Sequence, residues 1–167
     1  WGTLISLAKN KKIILGIADI PALDERYIGY SKISYKIIKG KKSKLKARNI
    51  NILKDTILNT TSPYVFASKS DQSSFEKLSR KVKSVRLGGD CYSYCLLADG
   101  HIDIVVESGL KPWDIRALEP IIKNSGGFIR TWENQEIYSG GRIIACNNEK
   151  LFKTSQKILL KKNPAKR

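Results

Sequence analysis

The sequence predicts a layered α/β protein in which an antiparallel meander from a first sheet precedes an α/β unit. Two observations lead to this prediction. The first 50 residues form short β-rich runs separated by polar turns, whereas helical and strand-like segments alternate after residue 50. We therefore expect residues 1–50 to be the remainder of an amino-terminal antiparallel-sheet domain, and residues 51–167 to form a carboxyl-terminal α/β domain.

The meander is predicted from four β-rich runs, at residues 3–8, 13–20, 26–30 and 33–38. A turn of lysine and asparagine at residues 9–12 separates the first two runs, and Pro21 ends the second. Because an antiparallel sheet commonly has one face open to water, we expect one exposed face that carries lysines.

The α/β half is predicted as alternating elements. The helix at residues 91–98 is apolar nearly all round, which is typical of a buried helix. Pro120 inside a helix at 114–125 is expected to remove one hydrogen bond and to bend that helix. In chain order, the other predicted elements are a short helix at 52–58, a short strand at 63–66, a helix capped by Asp71, strands at 85–87, 102–106, 128–132 and 142–145, and a final helix capped by Asn148.

The formal net charge of +16 raises the question of nucleic-acid binding. The 31 basic residues are spread along the chain and are mostly lysine, whereas phosphate readers favour arginine for bidentate contacts. The chain therefore gives little support to a dedicated nucleic-acid partner. No apolar run reaches the ~18 residues that a membrane span needs, so we expect a soluble protein with no membrane partner.

The three cysteines, Cys91, Cys95 and Cys146, suggest no paired framework, which is typical of a reducing, cytoplasmic compartment. Cys91 and Cys95 lie four residues apart, on one face of a helix, and His101 follows them. A metal site there would need ligands that the sequence does not show. Small buried apolar side chains are the better interpretation of both cysteines.

The first segment with chemical character is Leu87-Gly88-Gly89-Asp90, which joins a predicted strand to the buried helix. Two glycines there allow the backbone to approach a ligand closely, and the amides that follow begin a helix, which suits an anion. Asp90 would repel a phosphate at this position. Two interpretations of Asp90 therefore stay open: a helix N-cap, or a carboxylate that faces a cationic part of a substrate.

The second such segment runs from Glu107 to Asp114. An apolar strand delivers Glu107 at its carboxyl end, a loop with glycine and proline follows, and Asp114 opens a helix. Two carboxylates that flank such a loop are suited to binding a hard cation through oxygen. The alternative is an N-cap at Asp114 and a solvated Glu107.

Residues 113–122, followed by Ser125-Gly126-Gly127, resemble the second signature of the inositol monophosphatase superfamily. In detail the chain is most similar to the bacterial histidinol-phosphate phosphatase branch. The resemblance spans nearly the whole chain, in order, since residues 1–7 resemble the strand that follows the family's first signature, Asp-Pro-x-Asp-Gly-Thr. Further supporting segments lie at residues 60–63, 88–94, 100–103 and 107–112.

The resemblance implies the inositol-monophosphatase-like fold and a Mg²⁺-dependent attack of water on a phosphate monoester. In family terms, Asp114 is implied as a ligand of the second metal ion, and Glu107 as an acid that contacts the substrate alcohol. Gly88, Gly89 and Asp90 are implied as the lining of the substrate pocket. A homodimer is a further implication, because family members are commonly dimers.

The chain departs from the family pattern in several places. The first signature and an upstream glutamate are absent, so we expect no catalytic residue and no primary metal site within this chain, and no activity of the chain alone. The chain has no methionine and begins at Trp1, which we expect to mark a processed, trimmed or incompletely sequenced end. Arg116 stands where the family usually has a small or apolar residue, and Trp113 where this branch often has tyrosine.

The sequence therefore predicts a phosphomonoesterase for a small alcohol phosphate, with L-histidinol phosphate of histidine biosynthesis as the favoured substrate. Asp90 and Glu107 suit an alcohol with ammonium and imidazole groups better than inositol, which has no cationic group to offset their charge. Two alternatives stay open. They are an inositol-phosphate phosphatase, and a basic relative that binds RNA or protein without catalysis.

Overall fold

The computed structural model describes residues 1–161, and residues 162–167 at the end of the predicted second domain lie outside the described part. Within residues 1–161 there are two five-stranded sheets and five α-helices, so the predicted mixed α/β class is confirmed. None of the helices in this part of the chain is both long and apolar enough to span a bilayer.

The first sheet is an antiparallel meander in the order β1-β2-β3-β4-β5. The four predicted runs are confirmed as its first four strands. The sequence does not predict β5, because its three lysines and one serine form no apolar pattern. These residues form a strand because the hairpin register pairs them with β4. The strands are β1 (Thr3–Lys9), β2 (Lys12–Ile20), β3 (Glu25–Tyr30), β4 (Ile33–Ile38) and β5 (Lys41–Lys44).

The outer face of this sheet carries exposed lysines beside apolar side chains, since Lys44 pairs with Tyr35 and the Lys42 ammonium group lies over the Tyr35 ring, so the predicted lysine-bearing face is confirmed. Cross-strand pairing places Ile5, Ile17, Ile28 and Tyr35 side by side on one face. The opposite face is the one that packs on helices. Lys36 lies on that covered face, in register with the buried Tyr27, and its ammonium group forms an ion pair with Asp99.

The second sheet has the order β7-β6-β8-β10-β9 with mixed pairing. Because β6 is parallel to both β7 and β8, the carboxyl ends of these three strands meet at one end of the sheet. The residues singled out from the sequence lie at or just after these ends. The strands are β6 (Ile57–Thr60), β7 (Ser84–Leu87), β8 (Ile104–Leu110), β9 (Phe128–Thr131) and β10 (Gly141–Cys146).

Helices fill the space between the sheets and cover the far side of the second one. They are α1 (Lys69–Ser79), α2 (Cys91–Ala98), α3 (Pro112–Ile115), α4 (Leu118–Asn124) and α5 (Glu149–Leu159). One core cluster joins α2 and α4 to both sheets, and a second joins α1 and α5 to the other face of the second sheet. The two sheets thus share a core. The division into domains at residue 50 stays a prediction.

Glycines on the first sheet allow α4 to approach it closely. A Cβ atom added to Gly16 would lie 1.8 Å from the carbonyl oxygen of Ala117, and one added to Gly29 would lie 2.4 Å from the amide nitrogen of Ile121. Any larger residue at these positions would force the helix away from the sheet. The position of α3, which directly precedes α4, depends on this contact.

Two short elements differ from the prediction. Residues 52–58 do not form a helix, since a 3₁₀ turn (Leu53–Asp55) leads into β6, whose backbone pairs with two strands. Residues 63–66 do not form a strand, since Pro63–Val65 is a 3₁₀ turn that begins at Ser62. At β6 the pairing with distant strands decides the structure, whereas the turn at 63–65 is fixed locally by Pro63 and by the Ser62 side chain, which accepts a hydrogen bond from the Tyr64 amide.

Helix ends differ as well. Ser68 caps α1 by accepting a hydrogen bond from the Asp71 amide at 3.1 Å, so Asp71 is not the cap. The predicted helix at 114–125 is divided into α3 and α4. Pro120 lies in the first turn of α4, where no amide donor is needed, so the expected loss of a hydrogen bond does not occur. Asn148 caps α5 as predicted, at 2.9 Å from the Leu151 amide.

Candidate active site

The candidate site forms where β6, β7 and β8 end. The Gly88 amide, just after β7, donates to the carbonyl oxygens of Thr60 at 3.1 Å and Thr61 at 2.9 Å. The Thr61 amide, just after β6, donates to Oε1 of Glu107 on β8 at 2.7 Å. These bonds connect the two segments that the sequence singled out, through a threonine pair that lies between them.

The loop after β7 has an unusual backbone. Gly88, Gly89 and Asp90 have successive φ angles of +88°, +99° and +47°. The side chain of Ser93 approaches closely, with its Oγ donating to the Gly88 carbonyl at 3.0 Å, and a Cβ on Gly89 would lie 2.3 Å from that Oγ. The glycines therefore permit a tight loop that a larger residue at position 89 would obstruct.

Asp90 stands at the N-cap position of α2, but its side chain makes no capping hydrogen bond. The interpretation of Asp90 as a simple helix cap is therefore wrong. Its carboxylate is exposed, while its backbone has φ +47° and ψ −130°, a conformation that is costly for a residue with a side chain. A strained, exposed acid that does not cap its helix is a candidate for ligand binding.

Glu107 is buried, with 3% of its surface exposed, so the interpretation as a solvated glutamate is wrong. Burial raises the pKa of its carboxyl group, and the negative charge of Asp90 raises it further, while the hydrogen bond from Thr61 acts in the opposite direction. Asp90 and Glu107, 17 residues apart in sequence, thus lie near enough for the charge of one to affect the other.

Asp114 is the third residue of α3 and is partly exposed. One of its carboxylate oxygens, Oδ2, accepts a hydrogen bond from the Lys111 amide at 2.7 Å, which holds the short helix at its start. The prediction of Asp114 as the N-cap is therefore wrong, because Lys111 is the N-cap and Asp114 bonds back to it from the third helical position. The hydrogen bond from Lys111 occupies only one of the two carboxylate oxygens of Asp114. It therefore does not compete with a role of Asp114 in binding a cation.

Tyr94 on α2 is a buried polar residue near this site, and sequence reasoning missed it. Its side chain is buried, and its hydroxyl group has no hydrogen-bond partner within residues 1–161. Burial raises the pKa of this hydroxyl well above its ordinary value, and the charges of Glu107, Asp90 and Asp114 each raise it further. A polar residue at a helix position surrounded by apolar ones was the only sequence signal for it.

A network of polar side chains from α1, β8 and β10 stabilises the end of β8. Ser108 donates to Oδ2 of Asp71 at 2.5 Å, and Arg142 donates to Oδ1 of the same carboxylate at 2.9 Å. Arg142 also pairs with Glu133. The network ties the residue next to Glu107 to α1 and β10, and thereby fixes where Glu107 lies.

The fit of this site to a metal ion is incomplete. Three acids influence one buried hydroxyl, which concentrates negative charge, but residues 1–161 contain no group of three His, Cys, Asp or Glu side chains that could hold a metal ion. The described residues do not complete a metal site by themselves. The cysteines take no part, since all three are free and buried, and the His101 ring contacts Asp99 instead.

Comparison with known proteins shows which family this chain resembles. Residues 1–161 match the sequence model of the inositol monophosphatase family. The chain is 41% identical over 137 residues to the chloroplastic bifunctional phosphatase IMPL2 of Arabidopsis thaliana, a match that covers 79% of this chain and 37% of that protein. It is 28% identical over 149 residues to a histidinol-phosphatase of Mycobacterium tuberculosis, a match that covers 88% of this chain and 57% of that protein.

Among solved structures, an inositol monophosphatase from Zymomonas mobilis superposes with a TM-score of 0.87 at 36% identity. The match covers 95% of this chain and 62% of that one, so the chain spans less than two thirds of each of these three relatives. The matched residues include both sheets and the three strand ends that carry the acids, and the predicted family is thereby confirmed: this chain belongs to the inositol monophosphatase family.

Proposed function

We propose that residues 1–167 are part of a Mg²⁺-dependent phosphatase that hydrolyses the phosphate monoester of a small cationic alcohol, L-histidinol phosphate. The observation that carries this proposal is that the ends of β6, β7 and β8 meet, so that hydrogen bonds through Thr60 and Thr61 join the loop before Asp90 to the buried Glu107, while Asp114 lies in the short helix that follows β8. A site with this much negative charge favours a ligand that brings positive charge, as a metal ion, an ammonium group or both.

Asp114 is the proposed metal ligand in this chain. Its carboxylate is a hard oxygen donor of the kind that Mg²⁺ prefers, at the start of a helix that a close sheet contact holds in place. A bound Mg²⁺ would supply a water of lowered pKa and neutralise charge on the phosphate. Since residues 1–161 hold no complete donor set, the other ligands in this proposal come from a segment with the Asp-Pro-x-Asp-Gly-Thr signature ahead of Trp1.

Glu107 and Asp90 are the proposed contacts to the alcohol, with Gly88 and Gly89 allowing its close approach. The buried Glu107 gains from a cationic or hydroxyl donor, because the Thr61 amide that donates to it carries no positive charge. Histidinol offers an ammonium group and an imidazole ring, whereas inositol offers hydroxyl groups alone. The two acids would therefore be offset by histidinol and left uncompensated by inositol.

A second candidate substrate is inositol 1-phosphate. It is favoured by the 36% identity to the Zymomonas mobilis protein, which is named an inositol monophosphatase, whereas the Mycobacterium tuberculosis relative is named a histidinol-phosphatase.

The proposal also includes a cytoplasmic setting, because all three cysteines are free. A homodimer stays a prediction.

The test compares the 167-residue chain with a fusion in which the signature-bearing segment of a relative precedes Trp1. We expect Mg²⁺-dependent phosphate release from the fusion and none from the chain alone. For the fusion, kcat/KM for histidinol phosphate should exceed that for inositol 1-phosphate by at least about tenfold, or ~1.4 kcal/mol.

Each outcome decides between the candidate functions. A preference for inositol 1-phosphate would replace histidinol phosphate by the second candidate and leave the phosphatase assignment in place. A well-folded fusion with no activity towards either ester would favour a non-catalytic binding protein. Mg²⁺-dependent hydrolysis by the chain alone would show that its own residues complete the site.

A further inference from the structure

A recess lies beside the candidate active site, on the other side of Asp90. It has a volume of about 360 Å³ and opens between the first sheet and the start of α2. Two aromatic and three aliphatic side chains line it together with one carboxylate and one thiol, and they are Trp1, Tyr92, Ile20, Ala22, Leu23, Asp90 and Cys91. This volume lies near the lower end of the range of small-ligand sites.

Asp90 is the single charged side chain in the recess wall, within the described residues. It makes no capping hydrogen bond, and its charge also reaches Glu107 and Tyr94. Asp90 therefore lines the recess and directly follows the Gly88-Gly89 loop, whose Gly88 amide bonds to the Thr60 and Thr61 carbonyls at the candidate active site. A ligand that extends from Glu107 past Asp90 would place its far end in the recess.

Tyr92, which forms one wall of the recess, is held in place by Glu25 and Tyr27. Its hydroxyl donates to Oε2 of Glu25 at 3.0 Å, and the same oxygen accepts a hydrogen bond from Tyr27 at 2.7 Å. The two tyrosine rings meet edge to face with their centroids 6.2 Å apart. Burial and the bond to Glu25 raise the pKa of Tyr92 to about 12, so this hydroxyl stays a neutral donor to Glu25 near neutral pH.

We propose that this recess is a subsite for a flat heteroaromatic cation, the imidazole ring of the alcohol, with Asp90 on its N–H group and Tyr92 and Leu23 against its faces. This inference rests on the proposed function and extends it to a second group of residues. Aromatic and aliphatic walls bury a ring favourably, and one carboxylate matches one N–H or one positive charge. A polyol placed there would leave hydroxyl groups unpaired against Ile20 and Leu23.

The binding test uses the chain labelled with ¹⁵N and 4-methylimidazole as the probe, at about pH 6, where such a ring is largely protonated. Burial raises the pKa of the Cys91 thiol, and the α-amino group of Trp1 lies close enough to act in the opposite direction. The amino terminus should therefore be acetylated, so that no ammonium group at Trp1 competes with the probe. We expect saturable shifts of the amides of Ala22, Leu23, Gly89 and Asp90, and no such shifts with myo-inositol.

Variants make the binding test specific. Leu23→Lys places a cation at the recess, and Asp90→Asn removes its charge, so each should weaken binding of the probe at least about fivefold. Leu7→Lys is the matched control, since Leu7 is 53% exposed and Leu23 is 47% exposed, but Leu7 lies on β1 outside the recess. Shifts confined to other residues, or equal weakening by Leu7→Lys, would overturn the inference.

Kinetics of the fusion separate this inference from the proposed function. Leu23→Lys should lower kcat/KM for histidinol phosphate at least about tenfold and leave that for glycerol 2-phosphate unchanged. If histidinol phosphate is preferred but Leu23→Lys has no effect, the recess does not bind the imidazole ring and the proposed function stands. If neither ester is hydrolysed, the proposed function fails, and the binding of 4-methylimidazole alone decides whether the recess accepts a ring.

Discussion

The backbone N–H of Thr61 donates a hydrogen bond of 2.7 Å to the carboxylate of Glu107, and this bond joins the ends of β6 and β8. Glu107 is nearly fully buried, and Asp90 lies near enough to repel its charge. Hydrogen bonding by Thr61 does not offset both effects, so the pKa of Glu107 is raised. Ionisation of Glu107 is therefore less favourable in the folded chain than in the unfolded chain.

The first prediction concerns how stability depends on pH. A raised pKa means that the folded chain binds the Glu107 proton more tightly than the unfolded chain does. This contribution to stability is fully present below the ordinary pKa of 4.5 and is lost as the pH rises through the raised pKa of the folded state. Glu107→Gln keeps an oxygen for the Thr61 amide but has no charge. We expect it to have a higher free energy of unfolding than wild type above that window.

Urea unfolding at several pH values measures this difference. Below the window the two proteins should be about equally stable, because both side chains are then neutral. A variant that is less stable than wild type at neutral pH would show that the carboxylate of Glu107 has a compensating partner.

The second prediction separates stability from recognition at Asp90. Its φ of +47° and ψ of −130° are readily adopted by glycine, and its side chain does not cap α2. Asp90→Gly should therefore stabilise the chain by about 1 kcal/mol, since strain of this kind costs ~1–3 kcal/mol. In the fusion it should reduce the preference for histidinol phosphate about tenfold.

Asn134→Gly is the control for this prediction, because Asn134 also has a positive φ, +63°, in a turn between β9 and β10. It should change thermal stability without changing substrate preference. If Asp90→Gly leaves the preference intact, Asp90 does not contact the alcohol.

The sequence predicts the parts of this fold that local pattern determines. The first four strands have clear apolar runs, and α5 begins at an asparagine cap, so both are predicted correctly. The sequence does not predict β6, because Ile57–Thr60 is short and its identity as a strand comes from pairing with β7 and β8, which lie far along the chain. Such non-local pairing leaves little trace in a four-residue segment.

The same limit applies to the site. Gly88, Asp90, Glu107 and Asp114 could be singled out because they stand at strand ends and helix starts. The hydrogen bonds that join Gly88 to Glu107 through Thr60 and Thr61 could not be predicted, since they depend on how β6 pairs with β7 and β8. The network of Asp71, Ser108 and Arg142 draws on three distant segments and has no local signature.

The third prediction concerns self-association of the 167-residue chain. Within the described residues, β1 and β5 are the edges of the first sheet, and they differ. β5 carries three lysines, which discourage pairing with another chain, whereas β1 exposes Ile5 and Leu7. Ile5→Lys should therefore reduce concentration-dependent association, measured by light scattering, and change the free energy of unfolding by no more than ~0.5 kcal/mol.

Ser43→Lys, on the opposite edge, is the matched variant and should leave association unchanged. Equal association of wild type and Ile5→Lys would show that neither β1 nor the outer face of the first sheet mediates contact between chains.

The last prediction concerns Asp114, for which the structure shows a local role and the family implies a chemical one. Oδ2 accepts a hydrogen bond from the Lys111 amide, a role that the side-chain oxygen of Asn can also fill. Asp114→Asn should therefore change the free energy of unfolding by less than ~0.5 kcal/mol, while Asp114→Ala, which loses the bond, should cost about 1 kcal/mol. In the fusion, Asp114→Asn should lower kcat by at least ~100-fold, because an amide oxygen without charge binds Mg²⁺ poorly.

Calorimetric titration of the fusion with Mg²⁺ provides a measurement that does not depend on turnover, and Asp114→Asn should weaken or abolish one binding event. Asp55→Asn removes the same charge from an exposed position in a 3₁₀ turn, and it should alter neither Mg²⁺ binding nor kcat. If Asp114→Asn binds Mg²⁺ and turns over substrate like wild type, the capping bond to Lys111 is the whole role of Asp114. The metal would then be held entirely by residues outside this chain.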